Sequence, residues 1–265
     1  MNKCSRIYNA DKHIIAYQYN TTIKTYANGD KNIKYHSYSN LKGIVRDRGE
    51  GTLSDEEKEH LRYRNLLNVK QTIIDLIYHN GIIKPWEYFI TLTFDDEKVN
   101  AYDYDVTRAC LIKWLNNQKH QNPNMEYVIV PEYHESKRFH FHGVVRGVEK
   151  WELTPATYPS GRAVYKKGIR LYNLENYKFG FTSISKIQNA EAVSVYVSKY
   201  ITKEFIDIPN AKKYWASKSL EKPTIEYAQL TEGELKFFID PSKIITEKKI
   251  ETDNNTLLFI KSRTK

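Results

Sequence analysis

Alternating apolar and polar positions mark short strand-like runs along the chain, and two longer stretches carry helical spacing instead. "HIIAYQYNTTIKTY" and "KNIKYHSY" are rich in Tyr, Ile and Thr, and Asn28-Gly29 between them is a strong hairpin signal. "KGIVRDRGEGTLSDEE" is polar and glycine-containing, so it reads as a linker. It ends in Ser54-Asp55-Glu56-Glu57, a capping box that opens a helix from about Asp55 to His79. Leu66, Val69, Ile73 and Leu76 fall on one face of that helix, and Gly81 is placed to end it. A strand, "WEYFITLTF", and a helix from Tyr104 to His120 follow. "MEYVIVPEY" and "KRFHFHGVV" are strands joined through "HESK", short enough for a hairpin. Residues 147–176 read as irregular, "YKFGFTSISKI" as a further strand, and the last 60 residues as mostly polar.

Composition narrows the class. The 265 residues can bury a real core, and 40% hydrophobic against 28% charged is globular rather than disordered. With 41 basic and 32 acidic residues the formal charge is +9, which favours a polyanionic partner. Two cysteines, Cys4 and Cys110, support neither a disulfide framework nor a zinc cluster and fit a reducing compartment. No run has signal-peptide or membrane-span character, so a cytoplasmic protein without a membrane partner is expected.

"RFHFHGVV" sets two histidines, His140 and His142, one residue apart in an apolar strand. Strand side chains alternate, so the two rings share a face and can share one ion. Two hydrogen-bonded histidines on a sheet surface are the plainer alternative. Glu132, on the preceding strand, joins their face if the pairing register is even. Two imidazoles and one carboxylate suit Mn²⁺ or Mg²⁺ holding a phosphate oxygen, and equally Fe²⁺ in an oxygenase.

"YVSKYITK" carries Tyr196, Lys199, Tyr200 and Lys203, two overlapping Tyr-x-x-Lys units. On a helix these share a face, with Ala190, Val193, Val197 and Ile201 forming an apolar one beside it. The valines of "VSVYVS" favour a strand instead, so local propensity leaves the element open. With 21 tyrosines in the chain, packing or base stacking is the ordinary role for such a pair; a nearby cation would make one a nucleophile.

"YFITLTF", "HFHGVV" and "YVSKYITK", in that order, resemble the motifs of HUH endonucleases, and among them the two-tyrosine rolling-circle replication initiators (Rep proteins) of phages and plasmids. The likeness spans roughly Trp86 to Glu204 and does not reach residues 1–54. It implies an α+β fold with a central antiparallel sheet of about five strands flanked by helices, the tyrosines on a helix, and here an N-terminal β-hairpin extension. The domains expected are 1–54 as extension and linker, 55–228 as the nicking and joining domain, and 229–265 as a tail. The resemblance makes His140, His142 and Glu132 the ligands of Mn²⁺ or Mg²⁺, Tyr196 the nucleophile, Tyr200 the second tyrosine and Lys199 a phosphate-positioning cation. Thr91 and Thr93 belong to the first motif, whose role in the family is mostly structural. The implied activity is nicking of a single-stranded origin site beside a hairpin, with a 5′-phosphotyrosine link and later rejoining. No P-loop is present, so a host helicase and DNA polymerase in a bacterial cytoplasm would be partners. An HUH transposase shares this chemistry; a non-catalytic single-strand-binding protein shares the basic and aromatic character.

Overall fold

The computed structural model describes residues 7–9, 12–15, 20–38, 44–46, 54–206, 208, 211–237, 239–252 and 255–264. The protein is α+β and divides into two compact units, one of residues 55–222 and one of residues 1–54 with 223–265. Among the described residues no helix is long and apolar enough to cross a membrane.

The 55–222 unit is built on α1 (Asp55–Ile83), β1 (Tyr88–Phe94), α2 (Tyr104–Gln121), β2 (Glu126–Tyr133), β3 (Phe139–Arg146), β4 (Gly180–Lys186) and α3 (Ala190–Ser198). Its sheet has seven strands rather than about five, in the order 215–216, β2, β3, β1, β4, 172–174, 153–155. The four long strands are those the alternation marks. The three edge strands have only two or three residues each, too few to show a period.

Alternation sorts the side chains between two cores. Ile90, Leu92, Phe94, Ile129, Phe141 and Val145 pack with Leu111, Trp114 and Leu115 of α2 on one face. Val128, Val130 and Val144 point to the other, where Ile73 and Ile77 of α1 meet Val197 of α3 and Ile201 just beyond it. Ile73, Ile77, Val197 and Ile201 are fully buried, and burial of such a side chain stabilises by about 1.5–3 kcal/mol. This long-range packing settles the "VSVYVS" segment as helix against its β propensity.

Gly81, expected to end α1, lies inside it, and the helix runs on to Ile83. A Cβ at Gly81 would sit 2.6 Å from the Cβ of Ala190, so its absence lets α3 start close against α1. The C-terminal carbonyls of α1 are met by Arg146 of β3, which donates to the carbonyls of Asn80 and Lys84 and pairs with Glu126 at 2.6 Å. Its guanidinium also lies over the Trp86 ring, centred 4.6 Å away.

In the other unit the hairpin expected at Asn28-Gly29 is present, with strands 21–25 and 31–38 and Gly29 at φ 83°. Residues 13–26, read as one run, contribute to two sheets: 12–15 pairs with 7–9 and 44–46, and 21–25 with 31–38. Residues 229–265, read as a tail, are structured. Strand 255–262 pairs with 31–38 and 244–252, and strand 224–228 pairs with 21–25. Ile23, Ile33, Tyr35, Leu258 and Ile260 form its core with Leu235 and Ile239. The end of the linker at 47–53 lies outside the described residues.

Candidate active site

Register decides which side chains meet under α3. Directly opposed residues of antiparallel strands share a face. Glu132 of β2 opposes His140 of β3, which opposes Thr93 of β1. One step along, Val130 opposes His142, which opposes Thr91. Glu132, both histidines and both threonines therefore stand on one face, in the even register.

The contacts follow from that placement. Glu132 Oε2 accepts from His142 Nε2 at 2.8 Å. His142 Nδ1 lies 3.0 Å from the Thr91 hydroxyl and His140 Nδ1 3.2 Å from the Thr93 hydroxyl. The two imidazoles are nearly parallel, 4° between planes, with centroids 6.4 Å apart. His134, in the turn between β2 and β3, brings a third imidazole to 5.4 Å from that of His140.

α3 lays both tyrosines on this group. The helix starts on Asn189, whose side chain caps the Ala192 N–H at 2.9 Å. It ends at Ser198, and a tighter turn carries the chain on, with the Tyr200 N–H reaching the Val197 carbonyl at 3.2 Å. The Tyr200 ring stacks on His142 at a centroid distance of 3.6 Å and 8° between planes. Its hydroxyl donates to the Tyr196 hydroxyl at 2.8 Å. Phe89 of β1 lies beneath, edge-on to Tyr196 at 5.3 Å and parallel to Tyr200 at 6.4 Å. Lys199 follows the helix with an exposed side chain, and among the described residues no hydrogen bond or ion pair joins it to the other five candidates. Five of the six sequence-derived residues thus come together and Lys199 stands apart.

Burial sets the protonation states. It pushes His142 down, against the opposing pull of Glu132. Burial and the neighbouring His142 push His140 down to about 4. Burial raises the Glu132 carboxyl, but its hydrogen bond to His142 and the three nearby imidazoles outweigh that and hold it below the usual range. Burial, the bond to Tyr196 and the charge of Glu132 push the Tyr200 phenol well up. At neutral pH the group is two neutral imidazoles, one carboxylate and a neutral Tyr200 phenol.

That donor set suits a hard divalent cation, and the engagement of each Nδ1 by a hydroxyl is the outer support metal-binding histidines ordinarily have. Among the described residues no three His, Cys, Asp or Glu side chains converge as a metal-binding cluster. Glu132 is engaged with His142 Nε2, so a cation held by all three would have to part them.

The hydroxyls of Thr91 and Thr93, together with His134 and Phe89, went unread as parts of the site. The threonines carried a signal, since they alternate in "FITLTF" as the histidines do in "HFHG".

Residues 87–205 match the model of the ORF2 family of replication-associated proteins. The matched stretch is under half of the chain and holds every residue of this site. No curated protein and no solved structure matches the chain.

Proposed function

We propose that the protein is a replication initiator of the rolling-circle type that nicks single-stranded DNA at an origin and later rejoins it. The observation that carries this reading is the tyrosine pair, joined hydroxyl to hydroxyl at 2.8 Å and stacked on His142 beside His140 and Glu132, inside the stretch that matches a replication-associated family.

In this reading the Tyr196 oxygen attacks the scissile phosphorus. A P–O bond forms to tyrosine as the bond to the 3′ oxygen breaks, and that oxygen takes a proton to become a free 3′-hydroxyl for a host polymerase. The 5′-phosphotyrosine conserves the bond for rejoining, so no nucleotide cofactor is needed. Tyr196 suits the first attack because its oxygen is the acceptor of the tyrosine pair, which leaves its own proton free to depart. Tyr200, one turn on, suits the second. Mn²⁺ or Mg²⁺ held by His140, His142 and Glu132 would draw charge from the phosphate oxygens. Lys199, exposed at the helix end, would meet the DNA backbone. A host helicase would open the duplex.

The test is a labelled single-stranded library incubated with protein and Mn²⁺, then boiled in detergent. A protein–DNA adduct should form, keep a label placed 3′ of the nick and lose one placed 5′ of it. Tyr196→Phe should remove most of it. An adduct of full yield from Tyr196→Phe/Tyr200→Phe would refute the mechanism.

A further inference from the structure

The site leaves unused the stretch between Glu152 and Glu175, which contains Arg162, Lys166, Lys167 and Arg170 and no acidic residue. It folds as a small arm on the edge of the sheet. Tyr165 pairs with Arg170 and Lys166 with Ile169. Lys167 and Gly168 between them take φ of 50° and 78°, the positive values of a two-residue turn whose twist matches its strands. Ala156 donates to the Leu171 carbonyl, Leu171 to that of Val164, and Val164 to that of Ala156, which ties the arm to the edge strands. Residues 169–170 lie against β4, and the charge of Lys166 reaches His142. Arg162, Tyr165, Lys166 and Lys167 are exposed, and among the described residues none of the four cations pairs with a carboxylate.

β4 adds an aromatic ring on the same side. Phe181 opposes Thr93, which opposes His140, which opposes Glu132, so Phe181 continues the row of the site two strands from the histidines. Two strand spacings are about 10 Å. Phe181 is 66% exposed, more than any other large apolar side chain among the described residues. Phenylalanine has no polar atom to favour that exposure.

We propose that Phe181 and the arm bind the single strand flanking the cleaved phosphate, with bases stacked on Phe181 and Tyr165 and phosphates on Arg162, Lys166 and Lys167. This deepens the nicking reading and rests on it for the position of the phosphate. Unpaired bases are the occupant that fits, because an aromatic face needs an open base to stack on, and the unpaired cations complement a phosphate chain. Duplex DNA offers phosphates but no free base faces.

Fluorescence anisotropy with a labelled mixed-sequence single strand, in EDTA so that no chemistry occurs, tests it on the full chain. Phe181→Ala should weaken binding about 5- to 100-fold, and Phe181→Trp should restore it. Lys166→Ala/Lys167→Ala should reduce the slope of log affinity against log salt by about 1.4, the effect of two single-strand phosphate contacts. Phe181→Ala should leave binding to a blunt duplex unchanged. Wild-type affinity for the single strand in both variants, equal losses on duplex and single strand, or no single-strand binding by the wild type would each overturn the inference. The adduct assay separates the two readings. Adduct formation with unaltered binding in the variants removes only the surface, and stacking-dependent binding without an adduct removes only the nuclease.

Discussion

Replacing Thr91 by valine keeps the branched shape and deletes one hydroxyl. The carboxylate of Glu132 can only accept, so His142 Nε2 carries the proton of their 2.8 Å bond. His142 Nδ1 is then the bare nitrogen, and the Thr91 hydroxyl at 3.0 Å donates to it. A cation on Nε2 requires the other tautomer, with the proton on Nδ1 and the threonine hydroxyl turned to accept. A hydroxyl can serve both states and valine neither. His142 is 5% exposed, so water does not replace the lost partner. Leaving a buried acceptor unmet costs about 1–3 kcal/mol of stability without metal. Loss of such a support ordinarily lowers metal affinity about 10- to 100-fold, or about 1.4–2.8 kcal/mol. Free Mn²⁺, followed by its paramagnetic resonance signal during titration at neutral pH, reads this directly. Thr91→Ser keeps the hydroxyl and should bind as wild type. Thr91→Val binding within twofold of wild type, or Thr91→Ser failing as badly as valine, would refute the tautomer reasoning.

Tyr200→Phe keeps the ring on His142 and loses only the bond to Tyr196, so a first adduct should form while a second, intramolecular transfer fails in a two-site substrate assay; equal second-step yields contradict the division of roles. His140 and His142 both titrate below the usual histidine value of about 6.5. Above that pH neither state takes up the proton; between about 6.5 and 4 the unfolded chain binds protons the folded one refuses, so stability falls as pH falls. For His140 the loss reaches at most about 3 kcal/mol, less the share that water screens. Urea midpoints in EDTA from pH 7 to 4.5 should show a shallower slope for His140→Gln/His142→Gln, and an unchanged slope counts against the shifts. Arg146→Met should strand Glu126 and the end of α1, lowering stability by about 3–5 kcal/mol, with part recovered in Arg146→Met/Glu126→Gln; a melting point within a degree of wild type would refute the role of the pair.

What the sequence disclosed depended on how far each signal is local. The face shared by His140 and His142 needs only strand alternation, and the Glu132 partnership only a short hairpin, so both were open to reading. The long strands and the buried stripe Leu66, Ile73, Leu76 of α1 were legible for the same reason. α3 was not, because the valines around Tyr196 prefer strands and the contacts that override them come from α1, more than a hundred residues away. Gly81 misled because its use is interhelical: it makes room for Ala190 rather than ending a turn. The arm at 157–171 was lost in an irregular stretch because its strands are two residues long. Residues 255–262 do alternate, Leu258 and Ile260 buried around the exposed Phe259, but one short amphipathic run gives no hint of a partner more than two hundred residues earlier.

That last pairing orders events during synthesis. Strand 31–38 is hydrogen-bonded on one side to 255–262, and strand 21–25 to 224–228, so the smaller unit closes only when its final strands emerge. Residues 55–222 are complete before then, and every long strand of their sheet finds its neighbours within that span. The ribosome therefore delivers the site-bearing unit first, while the first fifty-four residues wait for their partners. A nascent chain stalled after residue 222 should already protect the histidine strand from protease, and full burial of Ile33 should date from the release of the chain.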